Sequence, residues 1–234
     1  MSHKYKFIFI HIYKTAGTSI MGEFVPYSRL IDRLAYDFWF SRKTYGVILR
    51  LMGWQDDGMK QFTGFHKHAT AYEIKKKIGD NTFDSYYKFS FVRNPFDFLV
   101  SLYFYILQAK EHIMHKDVSM MDYSEFLKWY LSQNPPHQID FLMNPNRDQR
   151  LVDYIGRFET FENDVNIVKN HLNLSISRDI KHMNPSIKRK SKNYKDYYDT
   201  NSRDLVLSYF QSDFENLGYD FSGFQETIPL MQQF

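Results

Sequence analysis

The chain has 234 residues, 43% hydrophobic and 18% aromatic, with a formal net charge of +3 and no cysteine. That length and apolar content exclude a disordered protein and suit one buried core with no need of a second domain. The missing cysteine excludes disulfides, a thiolate nucleophile and cysteine metal sites, and so small a charge leaves no footprint for nucleic acid as a partner.

MSHKYKFIFI lacks the apolar length and small-residue cleavage site of a signal peptide, and no stretch reaches the roughly 20 apolar residues of a membrane span. The expectation is a soluble chain with no transmembrane segment, in a reducing, cytoplasmic setting. Phe7, Ile8, Phe9, Ile10 and Ile12 form a short apolar run that predicts a strand covered on both faces. Lys14, Thr15, Ala16, Gly17, Thr18 and Ser19 follow at once and lead into a helix. Such a turn offers backbone N–H groups at a helix start, three hydroxyls and one ammonium, which is the chemistry that holds a phosphate. It is not a Walker A loop, because Lys14 precedes Gly17 rather than following the glycines. A plain strand, turn and helix with ordinary cap residues is the competing reading.

From Val25 to Met59 the chain is rich in aromatic and basic residues, which reads as a helical insert or as a platform for sugar rings and anionic glycans. His66 and His68 then share one side of an extended segment, with Lys67 opposite. No carboxylate or cysteine completes a metal set beside them, so a single general-base histidine fits better than a metal, and a hydrogen-bonded structural histidine competes with both. Tyr72 to Ile78 predicts a helix stopped by Gly79.

Tyr86 to Val92 predicts a second central strand, with Asn94 and Pro95 as cap and first turn of the next helix. Arg93 then falls at the carboxyl end of a strand, where open α/β sheets bind ligands, and Ser101 lies two turns into the helix. Glu111 to His115 lacks the H-E-x-x-H order and reads as polar surface. Tyr123 to Ser132 predicts a short helix, Gln138 to Arg150 an irregular segment without a readable role, Leu151 to Glu159 a third strand, and Phe161 to His171 a helix. The basic run from Lys188 to Lys195 reads as a solvated loop, a nuclear signal or nucleic-acid patch, or a lid over phosphates.

Two of these segments carry a family resemblance. HIYKTAGTS resembles the HxPKTAGTS segment of sulfotransferases that use 3′-phosphoadenosine 5′-phosphosulfate (PAPS), in the carbohydrate-modifying branch that includes the heparan sulfate 2-O-sulfotransferases; Tyr13 stands where that segment has proline. Phe91 to Tyr103 resembles the second signature, F-x-R-[ND]-P-x-[DE]-R-x-x-S-x-Y, with Phe98 in place of its second arginine. Lys67 to Ala71 matches a KHAxA context, His66 the first histidine of a GH-x-H context, and HMNPS with its basic stretch resembles the end of many of these enzymes.

The resemblance implies an α/β, P-loop-like single domain with a central, mainly parallel sheet flanked by helices. Residues 1–222 would be catalytic, 25–59 a helical insert and 223–234 a tail. It implies PAPS as donor and 3′,5′-ADP as product, with no metal and an acceptor hydroxyl, most readily on a carbohydrate. Lys14 and the loop through Ser19 would hold the 5′-phosphosulfate, Arg93 and Ser101 the 3′-phosphate, and Lys190 and Ser191 would close over the cofactor. His68, or else His66, would be the base, with a pKa near neutrality. An atypical nucleotide kinase and a catalytically silent nucleotide- or glycan-binding module are the alternatives.

Overall fold

A computed structural model of the chain describes residues 1–28, 30, 64–175, 189, 191, and 193–221. In chain order its elements are β1 (Phe7–Ile10), α1 (Gly17–Phe24), α2 (Ala71–Ile78), α3 (Asp80–Asp84), β2 (Tyr87–Val92), α4 (Pro95–Gln108), α5 (His115–Val118), α6 (Tyr123–Ser132), β3 (Tyr154–Arg157), α7 (Phe161–His171), α8 (Thr200–Tyr209) and α9 (Gln211–Leu217). The fold is α/β, and the chain forms two compact units, Met1–Phe91 with Phe141–Met183 and Val92–Asp140 with Asn184–Phe234.

The first unit is built on a three-stranded sheet of order β1-β2-β3. β1 and β2 pair in parallel, Phe7 opposite Tyr87 and Ile10 opposite Ser90. Phe7, Ile8 and Ile10 are each buried, as a strand covered on both faces requires. Phe89 is the centre of the core: its ring lies 4.8 Å from Phe24 of α1, 5.3 Å from Phe9 and 6.0 Å from Phe7. Phe161, Val165 and Val168 of α7 complete that cluster. An ion pair from buried Lys169 to half-buried Glu23 ties α7 to α1. Gly156 in β3 has a packing reason, since a Cβ there would lie 2.6 Å from the Phe91 ring.

β3 is shorter than the run from Leu151 to Glu159 suggests. Leu151 instead donates its N–H to the Leu142 carbonyl, and Met143 bridges Arg150, so the irregular segment before β3 closes on itself.

The second unit is organised by α4, where Pro95 opens the first turn and the Asn94 side chain accepts the Phe96 N–H at 2.9 Å. The residues from Pro95 to Phe104 are all buried, because α4 is covered all round. Tyr123 of α6 and Tyr198 share a 2.5 Å hydroxyl contact, and Tyr198 donates to the Phe96 carbonyl. Burial pushes both phenols well above their ordinary range.

Val25–Tyr27 forms a 3₁₀ turn after α1. The rest of the expected 25–59 insert apart from Ser28 and Leu30, together with Lys190 and the 223–234 tail, lies outside the described residues. Among the described residues no helix is long and apolar enough to cross a membrane.

Candidate active site

In the first unit, β1 delivers the chain into the turn through His11, Ile12 and Tyr13. Lys14 and Ala16 both adopt left-handed backbone conformations, with φ of 61° and 62°. L-residues avoid that region, at roughly 1–3 kcal/mol each, so the turn holds strain of the kind found at ligand-binding loops. Thr15, fully buried between them, donates its hydroxyl to the Ile12 carbonyl at 2.9 Å and braces the loop from inside.

Helix α1 starts at Gly17 with Ala16 as its N-cap and no side-chain cap. The contrast with α2 and α6 is informative, because Thr70 with Glu73 and Asp122 with Glu125 form complete capping boxes there. No side chain caps the start of α1, where the positive end of its dipole lies. Thr18 is half-buried and Ser19 buried in that turn, and Lys14 is half-buried at its entry.

His11 is 7% exposed and packs against Gly17 so closely that a Cβ on Gly17 would lie 1.7 Å from its Nε2. Glycine is therefore required here by a neighbouring ring, not by its own dihedral angles. His11 stacks on Phe9 at 5.6 Å, and its Nδ1 is buried with no hydrogen-bond partner. Burial, then the charge on Lys67 and then His68, hold this imidazole well below the ordinary histidine pKa, so it is neutral.

The structure separates the two candidate histidines. The Ala69 N–H donates to the His66 carbonyl at 3.1 Å, so the chain turns at this point and the side-sharing expected of an extended segment does not apply. His66 is exposed. His68 is half-buried, its ring centroid 4.6 Å from that of His11 and 5.8 Å, edge-on, from that of Tyr13. Its Nδ1 lies 2.9 Å from the His11 carbonyl oxygen, which can only accept, so Nδ1 carries the proton and Nε2 the lone pair. Burial is the main reason that its pKa falls to about 4, with Lys67 adding to the fall and the bond to the His11 carbonyl opposing it. That value lies below the one near neutrality expected of a base, and burial holds the His68 ring neutral.

Tyr13, which stands in place of the motif's proline, packs its ring edge-on to Phe141 at 6.0 Å as well as to His68. A cavity of about 120 Å³ borders the site, its lining including Phe9, His11, Phe65, His66 and Lys67.

In the second unit, Arg93 and Asn94 precede α4. Arg93 is 7% exposed and binds a single oxygen of Asp97, one helical turn on, through both Nε at 2.8 Å and Nη2 at 2.7 Å. Arg189 brings a second guanidinium to the other oxygen of Asp97 at 2.8 Å, and its Nε is buried without a partner. Two cations therefore share one carboxylate. Ser101, buried, follows Asp97 by one turn on the same face of α4.

Gln138 fixes this corner. Its side chain accepts the Arg93 N–H at 2.9 Å and donates to the Arg93 carbonyl at 2.7 Å, while Asp213 receives the Gln138 and Ile139 N–H groups. The segment Gln138 to Arg150, expected to carry no readable role, thus supplies the brace on Arg93. Ser191 gives its hydroxyl to Asp196 at 2.6 Å and its N–H to Tyr197.

The family model for the sulfotransferase family matches residues 1–220. The chain belongs to the sulfotransferase family. Sulfotransferases move a sulfuryl group to a hydroxyl-bearing acceptor, and that general activity is what membership gives this chain. An uncharacterized protein of Archaeoglobus fulgidus is 31% identical over 114 residues, which cover 47% of this chain and 88% of that protein. No solved structure matches. Among the described residues of this sulfotransferase no group of three or more His, Cys, Asp or Glu side chains could hold a metal ion.

Sequence reasoning overlooked His11, Asp97 and Gln138, and saw Arg189 only as part of a basic run. His11 and Asp97 stand inside the two motifs and were legible as positions but not as contacts. Gln138 gave no local signal, and the basic run marked Arg189 as charge but not as a partner of Asp97, because their partners lie 45 and 92 residues away.

Proposed function

We propose that this chain transfers the sulfuryl group of PAPS to an acceptor hydroxyl, on a carbohydrate, with His68 as general base. The observation that carries the reading is the uncapped start of α1 behind two left-handed residues, beside a histidine whose Nδ1 proton is held by a backbone carbonyl. The residues fit an anionic nucleotide: strain is stored in a loop that follows a strand, and a second set of residues gathers two guanidiniums around one carboxylate.

PAPS, when bound, supplies an activated sulfuryl group and two further anionic phosphates. The N–H groups of the first turn of α1, with the hydroxyls of Thr18 and Ser19, hold the 5′-phosphate, and Ala16 and Gly17 allow its close approach. Lys14 neutralises negative charge that builds on the departing bridging oxygen. Thr15 keeps the loop in shape. Arg93, Ser101 and Arg189 hold the 3′-phosphate, joined by Lys190 and Ser191 of the basic stretch.

His68 takes the acceptor proton on Nε2 as the hydroxyl attacks, and the negative charge of the donor favours the protonated ring that results. A sulfuryl group carries less charge than a phosphoryl group, so the reading assigns no metal. The carbohydrate acceptor and a cytoplasmic setting rest on the resemblance and on the chain's composition.

Calorimetric titration with 3′,5′-ADP, AMP and ATP without magnesium tests the reading. A preference of at least ~30-fold for 3′,5′-ADP over AMP, about 2 kcal/mol, is expected. Equal affinities would overturn it, and magnesium-dependent ATP consumption would favour the kinase alternative.

A further inference from the structure

We infer that His11 is itself a ligand-binding residue, a neutral imidazole whose Nε2–H donates to an oxygen of the anion held at the start of α1. The inference rests on the reading of that loop as the 5′-phosphate cradle and adds to it a donor that neither motif chemistry nor the family match assigns.

Three observations converge on it. The Nε2 edge of His11 lies against Gly17, the first residue of α1, at a place where even a methyl group has no room. The helix start carries no side-chain cap, so the group beside it faces N–H donors and not an acceptor that would occupy them. Nδ1 is buried with no partner in a residue 7% exposed, so Nε2 is the nitrogen turned toward the helix start.

The tautomer follows from which orphan is cheaper. A neutral imidazole has one N–H and one bare nitrogen. Were the proton on Nδ1, a donor would be stranded in a dry site, which native structures rarely tolerate. With the proton on Nε2 the stranded group is an acceptor, the less costly case, and the donor faces the helix start. Neutrality matters as well: a charged imidazolium beside the α1 dipole and Lys67 would be repelled, whereas a neutral N–H adds a directed hydrogen bond without that penalty. The two histidines then divide the work, with His11 donating to the anion and His68 accepting from the hydroxyl. The His11 main chain joins them, since its carbonyl fixes the tautomer of His68.

The test uses the full chain. His11→Gln places an amide nitrogen near the position of Nε2, and His11→Asn places one near Nδ1. Calorimetry with 3′,5′-ADP is expected to show His11→Gln losing about threefold in affinity and His11→Asn at least tenfold. Nitrogen-15 NMR of the wild type is expected to place the His11 proton on Nε2 and to shift it downfield as 3′,5′-ADP is added. Equal losses in the two variants, or a proton on Nδ1, would overturn the inference.

A wild-type chain that does not bind 3′,5′-ADP removes the cofactor reading instead. Inorganic sulfate titrated into the same NMR sample then decides on His11 alone: a downfield shift of its Nε2 proton supports the donor role, and an unmoved signal ends it.

Discussion

His68 donates from Nδ1 to the carbonyl oxygen of His11 at 2.9 Å, across 57 residues of sequence. A backbone carbonyl cannot reverse the direction of that bond, so Nε2 of His68 is the nitrogen available to a substrate. Replacing His68 by alanine is expected to lower turnover about 10²–10⁴-fold and to leave 3′,5′-ADP affinity within about twofold. Steady-state kinetics with calorimetry would show it, and normal turnover would remove the base assignment.

Both histidines are held neutral by burial, which links stability to pH. In the unfolded chain each titrates near 6.5, whereas folded His68 titrates near 4. The unfolded state therefore binds more protons between these values, and the neutral-histidine contribution is complete above pH 6.5 and is lost as pH falls toward 4. Each such group removes up to about 1.4 kcal/mol per pH unit across that window. Urea midpoints at pH 7, 5.5 and 4.5 are expected to fall less steeply for His68→Gln than for the wild type; parallel curves would contradict the shift.

Gly17→Ala places a methyl group 1.7 Å from the His11 ring, which is buried and cannot swing into solvent. The expected loss is about 1–3 kcal/mol of stability, with weaker anion binding. Because the clash is with one side chain, Gly17→Ala with His11→Ala is expected to recover much of the lost stability in a double-mutant cycle. Additive losses would show that the glycine is needed for another reason.

Asp97 holds Arg93 and Arg189 together. Asp97→Asn leaves two guanidiniums facing each other in a mostly buried place and is expected to destabilise the protein by about 3 kcal/mol, read from chemical denaturation. Arg93→Ala and Arg189→Ala are each expected to weaken 3′,5′-ADP at least tenfold while changing AMP affinity much less. Equal losses for both nucleotides would separate these residues from the 3′-phosphate.

Much of this architecture is written locally. The apolar run at Phe7, the Asn94-Pro95 start of α4, the full length of α6 and α7 and the glycine after α2 depend on residues within a turn or two of one another, so periodicity and cap chemistry suffice to place them. The two motifs likewise carry the family resemblance, because both are contiguous stretches of a strand, a short turn and a helix. Tertiary packing decided what that local code could not. It turned the chain at His66, buried His68 against the His11 carbonyl and lowered its pKa. It also brought Gln138 to the backbone of Arg93, and Arg189 to Asp97. Which histidine is fit to accept a proton is a matter of desolvation and of one long-range hydrogen bond, and both exist only once distant segments have closed around the ring.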